Sequence, residues 1–311
     1  MRLKKKHFVS FSIILLGVAS LFLFSTNYPA DQVNKNFLKP VTFFEEKFED
    51  TNFMSRGWYD NTTLSLSTIE HIPGSSQSAE YRWGRGDTKP INGGAIRKKF
   101  TESDEVYVSF YVKYGSGYTG SNKPYHPHEF LLMTNKNGKY EGLAFTHLTA
   151  YIEQNKSNPL LAFQDGQNID QTKIGKDLQN ITENRSVHGC NGIYHDGYTN
   201  IDCYDAGGGV HWNGQVWKAA GTTISNGVWH HVEAYLKLNS IQKGKAVGDG
   251  ILKYWLDDKL LINRMDVLIR TGLYPDMKFN QFIIAPWIGD GSPVDQTFWL
   301  DGLVVGNVRP D

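Results

Sequence analysis

Two stretches of strict alternation constrain this chain most. Val228-Trp-His-His-Val-Glu-Ala-Tyr-Leu-Lys-Leu-Asn239 sends Val232, Ala234, Leu236 and Leu238 one way and His231, Glu233, Tyr235 and Lys237 the other. Asp249-Gly-Ile-Leu-Lys-Tyr-Trp-Leu-Asp-Asp-Lys-Leu260 sets Leu252, Tyr254 and Leu256 against Lys253, Trp255 and Asp257. A period of two gives a strand with one face in a core and one outside it. Here the outer face carries aromatic, cationic and acidic groups together, a mixture suited to gripping a ligand.

Similar runs occur at Ser78–Trp83, Val106–Tyr114, Glu129–Thr134, His147–Glu153, Leu160–Gln164, Phe279–Ala285 and Thr297–Val305. Turn pairs such as Pro73-Gly74, Gly93-Gly94, Asn137-Gly138, Asn226-Gly227 and Asp290-Gly291 separate them. No amphipathic helix of ordinary length is evident. The pattern predicts an all-β fold, a jelly-roll β-sandwich of two antiparallel sheets. Residues 165–227 break the rhythm with many Gly, Asn and Asp, as a long functional loop would.

The N-terminus, Met1-Arg-Leu-Lys-Lys-Lys-His7 followed by an apolar run from Phe8 to Phe24, has the make-up of an export signal. Residues 1–26 are expected to be a cleaved signal peptide or a retained membrane anchor, 27–42 a linker, and 43–311 the jelly-roll domain. The folded part would then be secreted, periplasmic or tethered to a membrane facing outward. In that setting Cys190 and Cys203, the two cysteines of the chain, are expected to pair. Such a bridge would close a short polar loop, worth roughly 3 kcal/mol in the loop-entropy model. Lys and Arg number 32, as do Asp and Glu, so net charge gives no reason to expect a nucleic-acid partner.

The order of several segments resembles a known superfamily. Phe48-Glu-Asp50, Ala79-Glu-Tyr-Arg-Trp83, Ile96-Arg-Lys-Lys-Phe100 and Glu105-Val-Tyr-Val-Ser-Phe-Tyr-Val-Lys-Tyr114 precede the two alternating stretches, and Trp299-Leu-Asp-Gly-Leu-Val-Val305 closes the series. This is similar to the concanavalin A-like lectin/glucanase superfamily, and within it to the jelly-roll polysaccharide lyases of the alginate and glucuronan type. The resemblance spans roughly residues 43–308 and lies in scaffold segments shared by enzymes and binders.

It implies two readings. One is a polysaccharide lyase that cleaves a uronate-containing extracellular polysaccharide by β-elimination; the other is a non-catalytic carbohydrate-binding or cell-surface module. Elimination needs a group that neutralises the uronate carboxylate and a base for the proton beside it. The reactive cluster Tyr125-His-Pro-His-Glu129 offers His126 and His128, with Arg82 and Tyr111 as further catalytic candidates. The outward residues Glu80, Tyr107, Lys113, Tyr235, Lys237, Lys253 and Trp255 are expected to line one groove with them. The same histidines could instead be transition-metal ligands, or rim residues bonded to loop backbone. Glycoside hydrolysis is disfavoured, because glucanases of this fold carry acids as E-x-D-x-E or E-x-D-x-x-E on one strand, and that spacing does not occur. The alginate-lyase patterns R-x-E-x-R and Q-I-H are also absent. No cofactor is expected to be required for catalysis. A structural calcium at Glu49, Asp50 and Asp301 is a further expectation, from the superfamily and from hard-cation chemistry.

Overall fold

The computed structural model describes residues 40–60, 62–122, 128–135, 148–164, 203–205, 211–219, 221–270, 272 and 274–310, with backbone alone at 155, 164, 203–205 and 211–215. The N-terminal apolar run, His126 and Cys190 lie outside these residues, and so does the side chain of Cys203.

Two eight-stranded antiparallel sheets form the sandwich. The first runs β16 (Lys259–Val267), β15 (Gly250–Leu256), β12 (Trp229–Lys237), β6 (Glu105–Tyr114), β18 (Gln296–Gly306), β4 (Ser78–Trp83) and β3 (Ser65–Ser67). Its eighth strand, β1 (Thr42–Glu46), pairs with the far half of β18 beyond a register shift between Asp301 and Val304. The second sheet runs β10 (Cys203–Asp205), β11 (His211–Lys218), β9 (Asn158–Gln164), β8 (Thr149–Asn155), β7 (His128–Thr134), β17 (Phe279–Trp287), β5 (Ile96–Ser103) and β2 (Trp58–Asp60). A small hairpin, β13 (Ile241–Gln242) with β14 (Lys245–Ala246), stands apart. Among the described residues the one helical turn is the 3-10 turn Phe53–Arg56.

Alternation does what the sequence predicts. Val106, Val108, Phe110 and Val112 of β6, with Val232, Ala234 and Leu236 of β12, are buried in the core between the sheets. From the second sheet Phe130, Ile152, Phe163 and Phe282 meet them. Phe110 and Phe130 touch across the gap with ring centroids 4.4 Å apart, and Phe130 also meets Phe298 edge-on at 6.2 Å. Each such buried ring contributes about 1.5–3 kcal/mol through removal of apolar surface from water. The β15–β16 hairpin turns at Asp257 and Asp258, both left-handed (φ 49° and 64°). Asp tolerates that region better than most residues. The Asp257 carboxylate anchors the turn by accepting the His231 amide (2.9 Å) and pairing with the His230 ring (2.7 Å).

Inside the sandwich, one acid is buried among the apolar rings. Glu129 accepts hydrogen bonds from Tyr114 (2.7 Å), Gln154 (3.3 Å) and Tyr118 (3.4 Å). Burial pushes its carboxyl up to about 8, outweighing these donors, and the charge of Glu153 adds to the shift.

Candidate active site

The sandwich has two outer faces, and they differ in chemistry. On the first sheet, the β6–β12 register sets Tyr107 opposite Tyr235, Ser109 opposite Glu233, Tyr111 opposite His231 and Lys113 opposite Trp229. Lys253 and Trp255 of β15 flank Tyr235 and Glu233. The predicted shared face therefore exists, but its polar groups serve one another. Tyr107 donates to Glu233 Oε1 at 2.6 Å, and Arg309, from the C-terminal tail, donates to both Glu233 oxygens at 2.8 Å. The same guanidinium lies 4.9 Å from the Trp255 ring. Burial opposes charge on Glu233, yet Arg309 and Tyr107 hold its carboxyl below the ordinary range. Tyr235 hydrogen-bonds Glu105, which Lys237 also approaches at 3.8 Å. Lys113 pairs with Glu70 at 2.6 Å, Arg82 with Glu80 at 3.2 Å, and Tyr111 stacks on His231 at 4.6 Å.

The outer face of the second sheet is built on an apolar floor. Leu131, Met133, Leu160, Ala162, Ile283 and Ala285 form a second buried cluster, distinct from the main core, with Tyr151 among them. His128 opens β7 on this side, its ring centroid 5.2 Å from that of Tyr151. His128 Nδ1 bonds Glu153 Oε1 at 3.0 Å, and the same oxygen accepts the Glu129 amide at 3.3 Å. A carboxylate at Nδ1 favours the tautomer protonated there, which makes Nε2 the basic nitrogen. The chain switches sides between His128 and Phe130, so Glu129 enters the core while His128 stays outside it, where β7 and β17 lose regular register.

Farther along the same face, Arg97 of β5 is buried and anchored. It pairs with Asp60 at 3.1 Å, donates to Gln281 Oε1 at 3.2 Å and lies 4.7 Å from the Tyr59 ring. The registers Arg97↔Ile283, Ile283↔Leu131 and Leu131↔Tyr151 place it three strands from Tyr151. That is about 14 Å at the usual strand spacing.

These placements correct the expectation of a single groove. His128 stands on the second sheet, whereas Arg82, Tyr111, Glu80, Tyr107, Lys113, Tyr235, Lys237, Lys253 and Trp255 belong to the first. Since the core separates the two outer faces, His128 cannot act on a sugar together with Arg82 and Tyr111. What sequence reasoning missed on the His128 face is Tyr151, Glu153, Arg97 and Gln281. Arg97 sat inside the quoted Ile96–Phe100 segment, but only the pairing of β5 with β17 reveals its neighbours.

The expected calcium ligands are partly brought together. Asp301, fully buried, accepts hydrogen bonds from Gly302 N (2.7 Å), Ile72 N (3.1 Å) and Ser75 Oγ (3.1 Å). Glu49 binds the adjacent Ser76 through amide and hydroxyl. Burial pushes the Asp301 carboxyl up, against those three donors, and the charge of Glu49 adds to it. Two acids with hydroxyls and a tight turn between them suit a hard cation. Asp50 does not join them: it pairs with Arg56 at 2.5 Å and accepts the Asn52 amide at 2.7 Å. A second group, His231, Glu233 and Asp258, has ligand atoms within 4.8 Å of one another. There the Arg309 guanidinium already supplies the positive charge.

Comparison with solved structures supports the fold. An alginate lyase from Chlorella virus superposes with a TM-score of 0.57 at 12% identity, covering 86% of this chain and 100% of its own. The marine alginate lyase from Aplysia kurodai gives 0.54 at 10% identity, with 87% and 100% covered. An endo-β-1,4-glucuronan lyase from the fungus Trichoderma reesei gives 0.49 at 13% identity, with 86% and 96% covered. The chain thus has the jelly-roll fold of polysaccharide lyases. No family model matches the sequence, and no curated protein matches it.

Proposed function

We propose that this protein is an exported polysaccharide lyase that cleaves a uronate-containing polysaccharide on the outer face of its second sheet. The observation that carries this reading is the His128–Glu153 pair set beside Tyr151. The shared fold supports it at the level of class.

In the elimination, His128 Nε2 takes the proton from the carbon bearing the uronate carboxylate. The electron pair left behind forms the ring double bond, and the bond to the leaving glycosidic oxygen breaks. Tyr151 donates the proton that this oxygen needs. Glu153 fixes the imidazole and stabilises its positive charge as it forms. His126, the other candidate histidine for base or carboxylate partner, lies outside the described residues. Arg97, buried against Asp60, Gln281 and Tyr59, would be a structural residue of this face. A calcium ion held by Glu49, Asp301 and the Ser75–Ser76 turn would be structural only, tying β18 to the 72–76 turn. The export segment would be residues 1–26.

Incubation with alginate and with glucuronan tests the reading. The ultraviolet absorbance of unsaturated sugar ends is expected to rise with time for at least one polymer. Binding to either polymer without any such rise would replace the lyase with a carbohydrate-binding module.

A further inference from the structure

The first sheet carries a hollow of its own. It measures about 470 Å³, inside the span of about 300–1,000 Å³ usual for small-molecule sites. Trp299, Arg82, Ile91, the Ser116–Tyr118 turn and Asp295, which accepts the Arg85 amide at 2.8 Å, line it. β18 and β4 place Trp299 beside Glu80 and Thr297 beside Arg82 on the outer surface of this sheet, with the core behind them.

We infer that this hollow is a second saccharide site, which binds one uronate residue of the polymer away from the reacting bond. The inference rests on the polysaccharide reading but not on catalysis. The indole of Trp299 donates to Glu80 Oε2 at 2.9 Å, which fixes the ring in place. Glu80 also holds Nε of Arg82 at 3.2 Å. Among the described residues the two terminal nitrogens of that guanidinium, whose side chain is 52% exposed, have no partner. They form the planar fork that a carboxylate fits. A flat aromatic surface beside the fork suits the apolar C–H side of a pyranose.

Glycines keep the space open. A Cβ at Gly115 would stand 3.1 Å from the Thr297 carbonyl and 3.7 Å from the Trp299 ring, whereas one at Gly117 would meet nothing within 4 Å. The hollow therefore combines a fixed stacking surface, an unfilled donor pair and room for a ring. It also gives a role to Arg82, which cannot reach the sugar at His128.

Native electrophoresis through gels containing alginate, glucuronan or a neutral β-glucan tests this, in a His128→Ala background so that polymer is not consumed. Trp299→Ala, Arg82→Gln and Gly117→Phe are each expected to weaken retardation by a uronate polymer about tenfold. The neutral glucan should retard none of them. With His128 intact, the same three changes should leave elimination of a uronate trisaccharide within about twofold of the parent, since a short substrate gains nothing from a distant subsite. Gly117→Phe and Arg82→Gln guard against misfolding of Trp299→Ala. Unchanged retardation in all three, or no retardation of the background itself, overturns the second site. Equal retardation by the neutral glucan overturns its uronate preference. Should the parent form no unsaturated ends while the three variants still lose retardation, the lyase reading fails and the second site stands.

Discussion

The two outer faces are built from similar residue types and do different things with them. On the first sheet Glu233 is held by Arg309 and Tyr107, Glu105 by Tyr235 and Lys237, and Glu70 by Lys113. A saccharide laid across those residues would have to break pairs already formed. On the second, His128 packs against Tyr151, itself part of a buried apolar cluster, with a single carboxylate oriented on the imidazole. Charge on a sheet surface is thus a poor guide to chemistry until its partners are known. A stretch whose charges are mutually paired, as across β6, β12 and β15, offers them little to a ligand, whereas a base oriented by an acid is a candidate for proton transfer.

The largest expected effect falls on the second face. His128→Ala should lower the elimination rate about 10²–10⁴-fold, the usual weight of a general base. Tyr111→Phe, on the first face, should leave it nearly unchanged. A comparable loss from Tyr111→Phe, measured in the same ultraviolet assay, would reverse the comparison.

The next effect concerns the acid between the faces. Burial raises the Glu129 carboxyl from its ordinary value near 4.5 to about 8 in the folded protein. The folded state therefore binds more protons than the unfolded one between those values. Its contribution to stability is fully present below about 4.5 and is lost as pH rises through about 8, a change on the order of a few kcal/mol. Glu129→Gln should flatten that slope and be more stable than the parent at the alkaline end, as read by denaturant melts across the range. A parent with unchanged stability between these pH values would contradict the assignment.

A chelator sharpens the comparison from the other side. If Glu49 and Asp301 hold calcium, removing the ion should cost roughly 2.7 kcal/mol when the free ion had stood at about 100 times its Kd. Melting temperature should recover on adding calcium but not magnesium, which tolerates such irregular oxygen sets poorly. Glu49→Gln should abolish the response.

The smallest effect is expected at the latch of the first face. Arg309→Ala should cost about 1 kcal/mol, since it leaves the buried Glu233 carboxylate short of donors while the lost pair is partly screened by solvent. Turnover should be unaffected. A drop in turnover without a drop in stability would move the reactive chemistry to this face.

Much of the fold was legible in the sequence because its signal is local. Period-two alternation placed β4, β6, β12, β15 and β18, and in β12 and β15 it told the inner residues from the outer ones. It did not find β16, an edge strand whose Lys259-Leu-Leu-Ile-Asn-Arg-Met-Asp-Val267 run does not alternate and is largely exposed. Nor did it mark the β8–β9 turn at Lys156 and Ser157, where two residues other than glycine hold left-handed φ of 49° and 63°.

The site was less legible, for a physical reason. Alternation says which side of a strand faces the core but not which sheet the strand joins, because pairing partners are far apart in sequence. β6 pairs with β12 and β18, whereas β7 pairs with β8 and β17. From the sequence, His128 and Tyr111 were equally outward, and nothing local separated their faces. Glu153 shows the same limit: its role comes from contact with a histidine 25 residues earlier.

The most direct test is a crystal structure of His128→Ala soaked with a uronate tetrasaccharide. The expected result is a sugar chain along the outer face of the second sheet, with one ring at Tyr151. A tetrasaccharide seated instead across Tyr107 and Tyr235, with no ring near Tyr151, would contradict the placement of the reactive face.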